Sequence, residues 1–149
     1  MAWQARDPAY AERVRDSFSK QVFMATLGAR LRHVAAGEVD IELPVRASLT
    51  QQHGFVHAGA LAAVLDSSAG YAAFTLMPAG AAVLSIEFKL NLLEPARGER
   101  MLARGRVVRA GRTITVCRAD AVAFAEGRET LVATLQGTMM CVEGRGISG

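Results

Sequence analysis

Asp66 is the residue of this chain most in need of an explanation. It lies in the run Ala58-Gly59-Ala60-Leu61-Ala62-Ala63-Val64-Leu65-Asp66-Ser67-Ser68-Ala69-Gly70-Tyr71-Ala72-Ala73-Phe74. Alanine is the strongest helix former, so the run from about Gly59 onward is expected to be helical. It is apolar almost all the way round, and such a helix belongs inside a protein. A lone carboxylate on a buried helix is costly to ionise unless something pairs with it. Burial would push its pKa upward, which suits a general base or a nucleophile. Equally, the carboxylate could be satisfied by a neighbouring hydroxyl or backbone group, at a dimer contact for instance. The residues alone leave both readings open.

Just ahead of the helix is a polar loop, Gln51-Gln52-His53-Gly54-Phe55-Val56-His57. A helix beginning near Ala58 offers unpaired backbone N–H groups and the positive end of its dipole. That is a cradle for a carbonyl oxygen becoming an oxyanion, where one donor contributes about 3–4 kcal/mol in acyl transfer. Other chemistries find less support. His53 and His57 have a spacing that zinc sites use, but no Glu follows the first His and no third ligand is at hand, so no metal is expected. The chain has no phosphate-binding Gly-x-x-x-x-Gly-Lys loop, no dinucleotide Gly-x-Gly-x-x-Gly after a strand, and no Gly-x-Ser-x-Gly elbow. Few aromatics and no dense basic stripe argue against nucleic acid.

The elements around this stretch are read from periodicity. Asp7-Pro8 is a helix start, and Tyr10, Val14, Phe18 and Val22 recur at i+4 as an amphipathic stripe, with a restart near Ser19. Gly28 ends that segment. Leu27 to Val34 reads as a strand, and Glu38 to Val45 alternates as a half-buried one. Pro78-Ala79-Gly80 turns the chain after the central helix. Beyond it, Ala82, Leu84, Ile86, Phe88, Leu90 and Leu92 share one face of a strand, against Ser85, Glu87, Lys89 and Asn91. Met101, Ala103, Gly105 and Val107 alternate with Arg100, Arg104 and Arg106. After the Ala110-Gly111-Arg112 hairpin, Thr113, Thr115, Cys117, Ala119, Ala121 and Ala123 form a face of small residues that lets another element approach closely. Leu131, Ala133, Leu135, Gly137, Met139 and Cys141 line the last strand, and the glycine-bearing tail from Glu143 is expected to be loose. The order is helix, two strands, long buried helix, four strands: an α+β arrangement of about six antiparallel strands wrapped around one central helix.

With 149 residues, 51% hydrophobic and 21% charged, the chain reads as one globular domain, 1–149. A chain of this size buries roughly 70% of its unfolded surface. Of its 17 basic residues only Lys20 and Lys89 are lysine. The arginines are scattered, which fits a compositional habit, although Arg also grips phosphate bidentately. Cys117 and Cys141 form no disulfide framework. No signal pattern opens the sequence, pointing to a cytoplasmic protein. The window between Asp66 and Glu87 has no charge and is long enough to span a bilayer, but its serines and the Pro78 turn make a buried helix and a strand the better reading.

The motif Gln51-x-x-Gly54-x-x-His57-Ala58-Gly59, with Asp66 nine residues after the histidine, resembles the hotdog-fold acyl-CoA thioesterases of the PaaI-like, phenylacetic-acid-degradation group. Their pattern is Asn-x-x-Gly-x-x-His-Gly-Gly followed by Asp. Further matches are Phe18-x-x-Gln21-x-Phe23-Met24, Ser85-Ile86-Glu87-Phe88 running to Pro95, and the Gly111-Arg112 hairpin. The likeness extends from about Asp16 to Val142 and speaks to the fold group more than to the substrate. It implies that Asp66 is the base or nucleophile attacking the thioester, and that the N–H of Ala58 or Gly59 polarises the thioester carbonyl. His57 would shape the loop, Gln51 would position the carbonyl or water, and Ser85 would help hold that water. It also implies a site shared across a homodimer, often paired into tetramers, with acyl-CoA as substrate rather than cofactor. Arg97, Arg109 and Arg112 are placed to meet the coenzyme A phosphates. No membrane or nucleic-acid partner is implied.

The chain departs from the family pattern twice. Gln51 stands for the common Asn, with longer reach, and Ala58 for the first Gly of the pair, which would be strained there if a positive φ were required. Two rivals accompany the thioesterase reading: a hydratase or dehydratase on the same fold, for which no matching motif is present, and a non-catalytic acyl-CoA-binding module, since fold does not fix function.

Overall fold

The computed structural model describes residues 2–149. Tyr10–Lys20 forms α1 and Val22–Leu27 forms α2. Two strands follow, β1 at Arg30–Ala35 and β2 at Glu38–Pro44. A single 3-10 turn at Ala47–Leu49 leads to α3, Ala58–Phe74. The chain continues with β3 (Ala82–Leu92), β4 (Arg100–Ala110), β5 (Ile114–Ala125) and β6 (Arg128–Val142). All six strands join one antiparallel sheet in the order β1-β2-β4-β5-β6-β3. α3 packs across it, touching every strand from β2 to β6. This is the expected α+β arrangement, a sheet wrapped around a central helix.

The contact between α3 and the sheet depends on small residues. The inward face of β5 is Thr115, Cys117, Ala119, Ala121 and Ala123, all buried. On β4, a Cβ at Gly105 would lie 2.2 Å from the Ser68 carbonyl oxygen, so only glycine admits the helix backbone this close. Arg13 closes the far end of α3. Its guanidinium donates to the carbonyls of Phe74, Met77 and Pro78 and lies 4.4 Å from the centre of the Phe74 ring. The carbonyls of Phe74 and Pro78 also accept from the Met77 and Ala81 N–H groups, so Arg13 braces the turn that follows the helix. Among the described residues no helix is long and apolar enough to cross a membrane.

Five expectations are corrected. Helix α1 starts at Tyr10, not at Asp7-Pro8; Asp7 instead accepts from the Ala9 N–H in the turn before it. The stripe ends at Phe18: Gln21 takes an extended backbone, and Val22 is 77% exposed while Met24 and Leu27 turn inward. Leu27 therefore belongs to α2, which Gly28 closes at φ 73°, and the strand begins only at Arg30. On β3, a bulge between Ser85 and Glu87 reverses the alternation. Ser85 pairs with inward Met139, whereas Leu84 pairs with exposed Met140; beyond the bulge Phe88, Leu90 and Leu92 pair with Gly137, Leu135 and Ala133 on the helix side. An extra residue shifts every later side chain to the other face. A second irregularity, opposite Ala121/Val122, does the same to β6: Val132 is buried and Leu131 is 42% exposed.

Candidate active site

The bulge in β3 sets the main polar contact between the edge strand and α3. It turns Ser85 toward α3, where its hydroxyl donates to Asp66 Oδ1 at 2.7 Å. Asp66 is half-buried, and burial raises its carboxyl above the ordinary carboxylate range; the Ser85 hydrogen bond opposes that shift in part. The pair lines a cavity of about 280 Å³ between α3 and the start of β3. On the same wall a hydrogen-bonded chain runs from the Ser67 hydroxyl to Gln21 Oε1 (3.2 Å), from Gln21 Nε2 to the Tyr71 hydroxyl (3.1 Å), and on to Ser17 (3.2 Å). Burial also raises the Tyr71 phenol. The pocket thus has a polar wall of hydroxyl, amide and carboxylate groups facing an apolar side formed by Ala82, Val83 and Leu84.

The polar loop builds a second cavity, of about 450 Å³, at the other end of α3. Gln51 N–H donates to the Phe55 carbonyl and Gly54 N–H to the Gln51 carbonyl, with Gly54 at φ 84° completing the turn. The Gln51 side-chain oxygen accepts from the His53 N–H, so its amide NH₂ remains available to the cavity it lines. His57 caps α3: its Nδ1 accepts from the Gly59 N–H at 2.8 Å. That assigns the neutral tautomer with the proton on Nε2. A Cβ at Gly59 would lie 3.0 Å from that nitrogen, which explains the glycine. Ala58 is the first helical residue and has no positive φ, so alanine is unstrained there. Its N–H is paired with no acceptor among the described residues, and Ala58 lines the cavity.

The predicted site residues thus fall into two groups. Asp66 and Ser85 meet in one pocket; Gln51, His57 and Ala58 meet in the other, with the Gly59 N–H already engaged. Eight residues of helix, about 12 Å of rise, separate Asp66 from Ala58. The three arginines do not cluster. Arg97 lies 5.8 Å from the centre of the Phe55 ring beside the loop pocket, while exposed Arg109 and Arg112 flank the β4–β5 hairpin. The wall of Ser17, Ser67 and Tyr71 was absent from the sequence prediction. Its legible signal was spacing: Tyr71 follows Ser67 by one helical turn. The tail from Glu143 forms no helix or strand; Gly144 and Gly146, at φ 65° and 75°, turn it back so that residues 147–149 line the Asp66 pocket.

Comparison with known proteins identifies the family and the fold. A family model described as the thioesterase superfamily matches residues 53–130. A candidate esterase of Halobacterium salinarum is 31% identical over 108 residues, covering 69% of this chain and 71% of that protein. Another, from Saccharolobus solfataricus, is 30% identical over 112 residues, covering 74% and 77%. Among solved structures, a thioesterase family protein from Silicibacter pomeroyi superposes with TM-score 0.89 at 53% identity, covering 91% of this chain and 99% of that one. The Escherichia coli PaaI protein of the phenylacetic acid degradation operon superposes with TM-score 0.82 at 18% identity, covering 91% and 94%, a likeness of fold alone. The chain belongs to the thioesterase superfamily and has the hotdog fold of its PaaI-like members.

Proposed function

We propose that the protein hydrolyses acyl-CoA thioesters in the cytoplasm, at a site that two copies of the chain complete together. The observation that carries this reading is the Asp66–Ser85 pair, a half-buried carboxylate with raised proton affinity in a pocket beside an unpaired sheet edge. Such a carboxylate suits proton abstraction near neutral pH. Asp66 takes a proton from water that Ser85 helps to hold, and the hydroxide adds to the thioester carbon. The Ala58 N–H stabilises the resulting oxyanion, and Gln51 orients the carbonyl through its free amide. Collapse breaks the C–S bond; the leaving sulfur takes the proton from Asp66, giving free acid and coenzyme A. A direct attack by Asp66, through an anhydride that water then opens, uses the same groups. Neither route needs a metal or a cofactor.

One copy cannot bring Asp66 and Ala58 to a single carbonyl across about 12 Å of helix. The edge strand β3 offers the remedy. It exposes Leu84, Ile86, Phe88 and Leu92 together with unpaired backbone groups, a template for pairing with another chain. If two β3 strands pair antiparallel about a two-fold axis, the Ser85 end of one meets the Leu92 end of the other. Leu92 and Leu93 line the loop pocket, so each Asp66 then faces the partner copy's loop. Arg97, Arg109 and Arg112 supply the charge for the coenzyme A phosphates at the rim. The test is thiol release from short, medium, long and aromatic acyl-CoAs. Turnover of at least one supports the reading; binding without turnover across the panel would make the protein a binding module.

A further inference from the structure

Glu143 to Gly149 is exposed, yet it follows a defined path. After the turns at Gly144 and Gly146, the Gly149 N–H donates to the Ala81 carbonyl at 3.1 Å, just ahead of β3. Gly149 itself rests on the buried Phe74 ring, where a Cβ would lie 2.4 Å from Cζ. The segment therefore crosses the mouth of the Asp66 pocket, and Ile147, Ser148 and Gly149 form part of its lining. On the other side of the segment is a third cavity, of about 600 Å³, on the outer face of the sheet, lined by Met140, Arg112 and Arg145 among others. Leu84 and Ile147 line both cavities. They are the partition between them.

We infer that residues 147–149 are a specificity-determining wall, standing between the Asp66 pocket and the outer groove and so limiting the acyl groups that fit beside the carboxylate. This rests on the acyl-CoA reading above. Two features make the wall a limit on size rather than part of the core. Its side chains are exposed, with Ile147 at 47%, and its hydrogen bond to the body of the protein is the one from Gly149 to Ala81. Lifting it joins the pocket to the outer groove, whose apolar side continues along the sheet: Leu84, Met140 and Ile114 stand in one row across β3, β6 and β5, each at least 38% exposed, with Arg112, Glu143 and Arg145 on the groove's polar side. The acyl class admitted in the intact protein is accordingly short or compact, and long chains are excluded by residues 147–149 and not by the core.

The experiment compares the intact chain, a chain lacking residues 144–149, and Gly149→Val. The last keeps the segment but drives it off the Phe74 ring. Each is assayed for thiol release across a length series of straight-chain acyl-CoAs, and calorimetric titration with the same series reads binding. Both variants should gain about ten-fold for long acyl groups relative to short ones, the effect of burying roughly two further methylenes. If thiol is released but the length profile stays that of the intact chain in both variants, the wall is wrong and the hydrolytic reading stands. If no thiol is released but the binding profile lengthens, the wall stands and the hydrolytic reading falls. Should the shortened chain fail to fold, Gly149→Val decides alone.

Discussion

Asp66, Ser67 and Ser68 are consecutive on one helix, yet they serve two opposite sides of it. Ser68 faces the sheet: it is fully buried, its hydroxyl donates to the Leu65 carbonyl, and its own carbonyl presses against Gly105. Asp66 and Ser67 face β3 and α1, where their polar atoms meet Ser85 and Gln21 across a cavity. A polar side chain on a buried helix is therefore not in itself a sign of chemistry. What separates the two sides is where the polar atom finds its partner. Ser68 is satisfied within its own helix turn, while Asp66 depends on a side chain 19 residues away that reaches it through a strand bulge.

Four substitutions would break or sharpen that contrast. The largest effect is expected at Asp66→Asn. Turnover should fall roughly 10²–10⁴-fold, the usual weight of a general base. Stability should move the other way. Burial raises the Asp66 pKa above its unfolded value, so the intact protein loses stability as pH rises from the ordinary aspartate range through the raised folded value. The Asn variant escapes that loss. It should be at least as stable at neutral pH, and its advantage should vanish in acid; denaturation midpoints at both pH values check this. On the opposite side of the helix, Gly105→Val should cost about 3 kcal/mol or more, because the 2.2 Å clash is with backbone that cannot step aside. Urea unfolding measures it.

Ser85→Ala should reduce turnover about ten-fold, as expected for loss of one hydrogen bond to a charged group. It removes the donor that lowers the Asp66 pKa, so the acid limb of the pH–rate profile should shift to higher pH; a profile that stays in place would sever Ser85 from the carboxylate. The smallest effect belongs to Ser68→Ala. Its hydroxyl serves only the preceding turn, and alanine is the better helix former, so stability should change by less than about 1 kcal/mol with turnover intact.

The α+β class, the central helix and the sheet strands were legible because their periodicities are long and regular. The bulges at Ser85–Glu87 and near Val132 were not, since an inserted residue leaves no mark in an alternation that either phase satisfies. That matters most on β3, where strict alternation placed Ser85 opposite the apolar row and the bulge places it against Asp66. Asp66 itself was visible as a charge where helix burial forbids one. Gln51, His57 and Ala58 were visible as a polar loop running into that helix. Sequence could not reveal that the Gly59 N–H is occupied by His57, which depends on one side-chain torsion, nor that the tail folds back onto Phe74.

The central claim is that Asp66 of one copy works with the loop of another. It is tested most directly by co-expressing two inactive chains, Asp66→Asn and Gln51→Ala. If the site is shared, random pairing makes half of the dimers mixed, each with one whole site of two, and thiol release should return to about a quarter of the wild-type rate. A mixture that stays as inactive as its two parents would place Asp66 and Gln51 in the same copy's site and contradict the account.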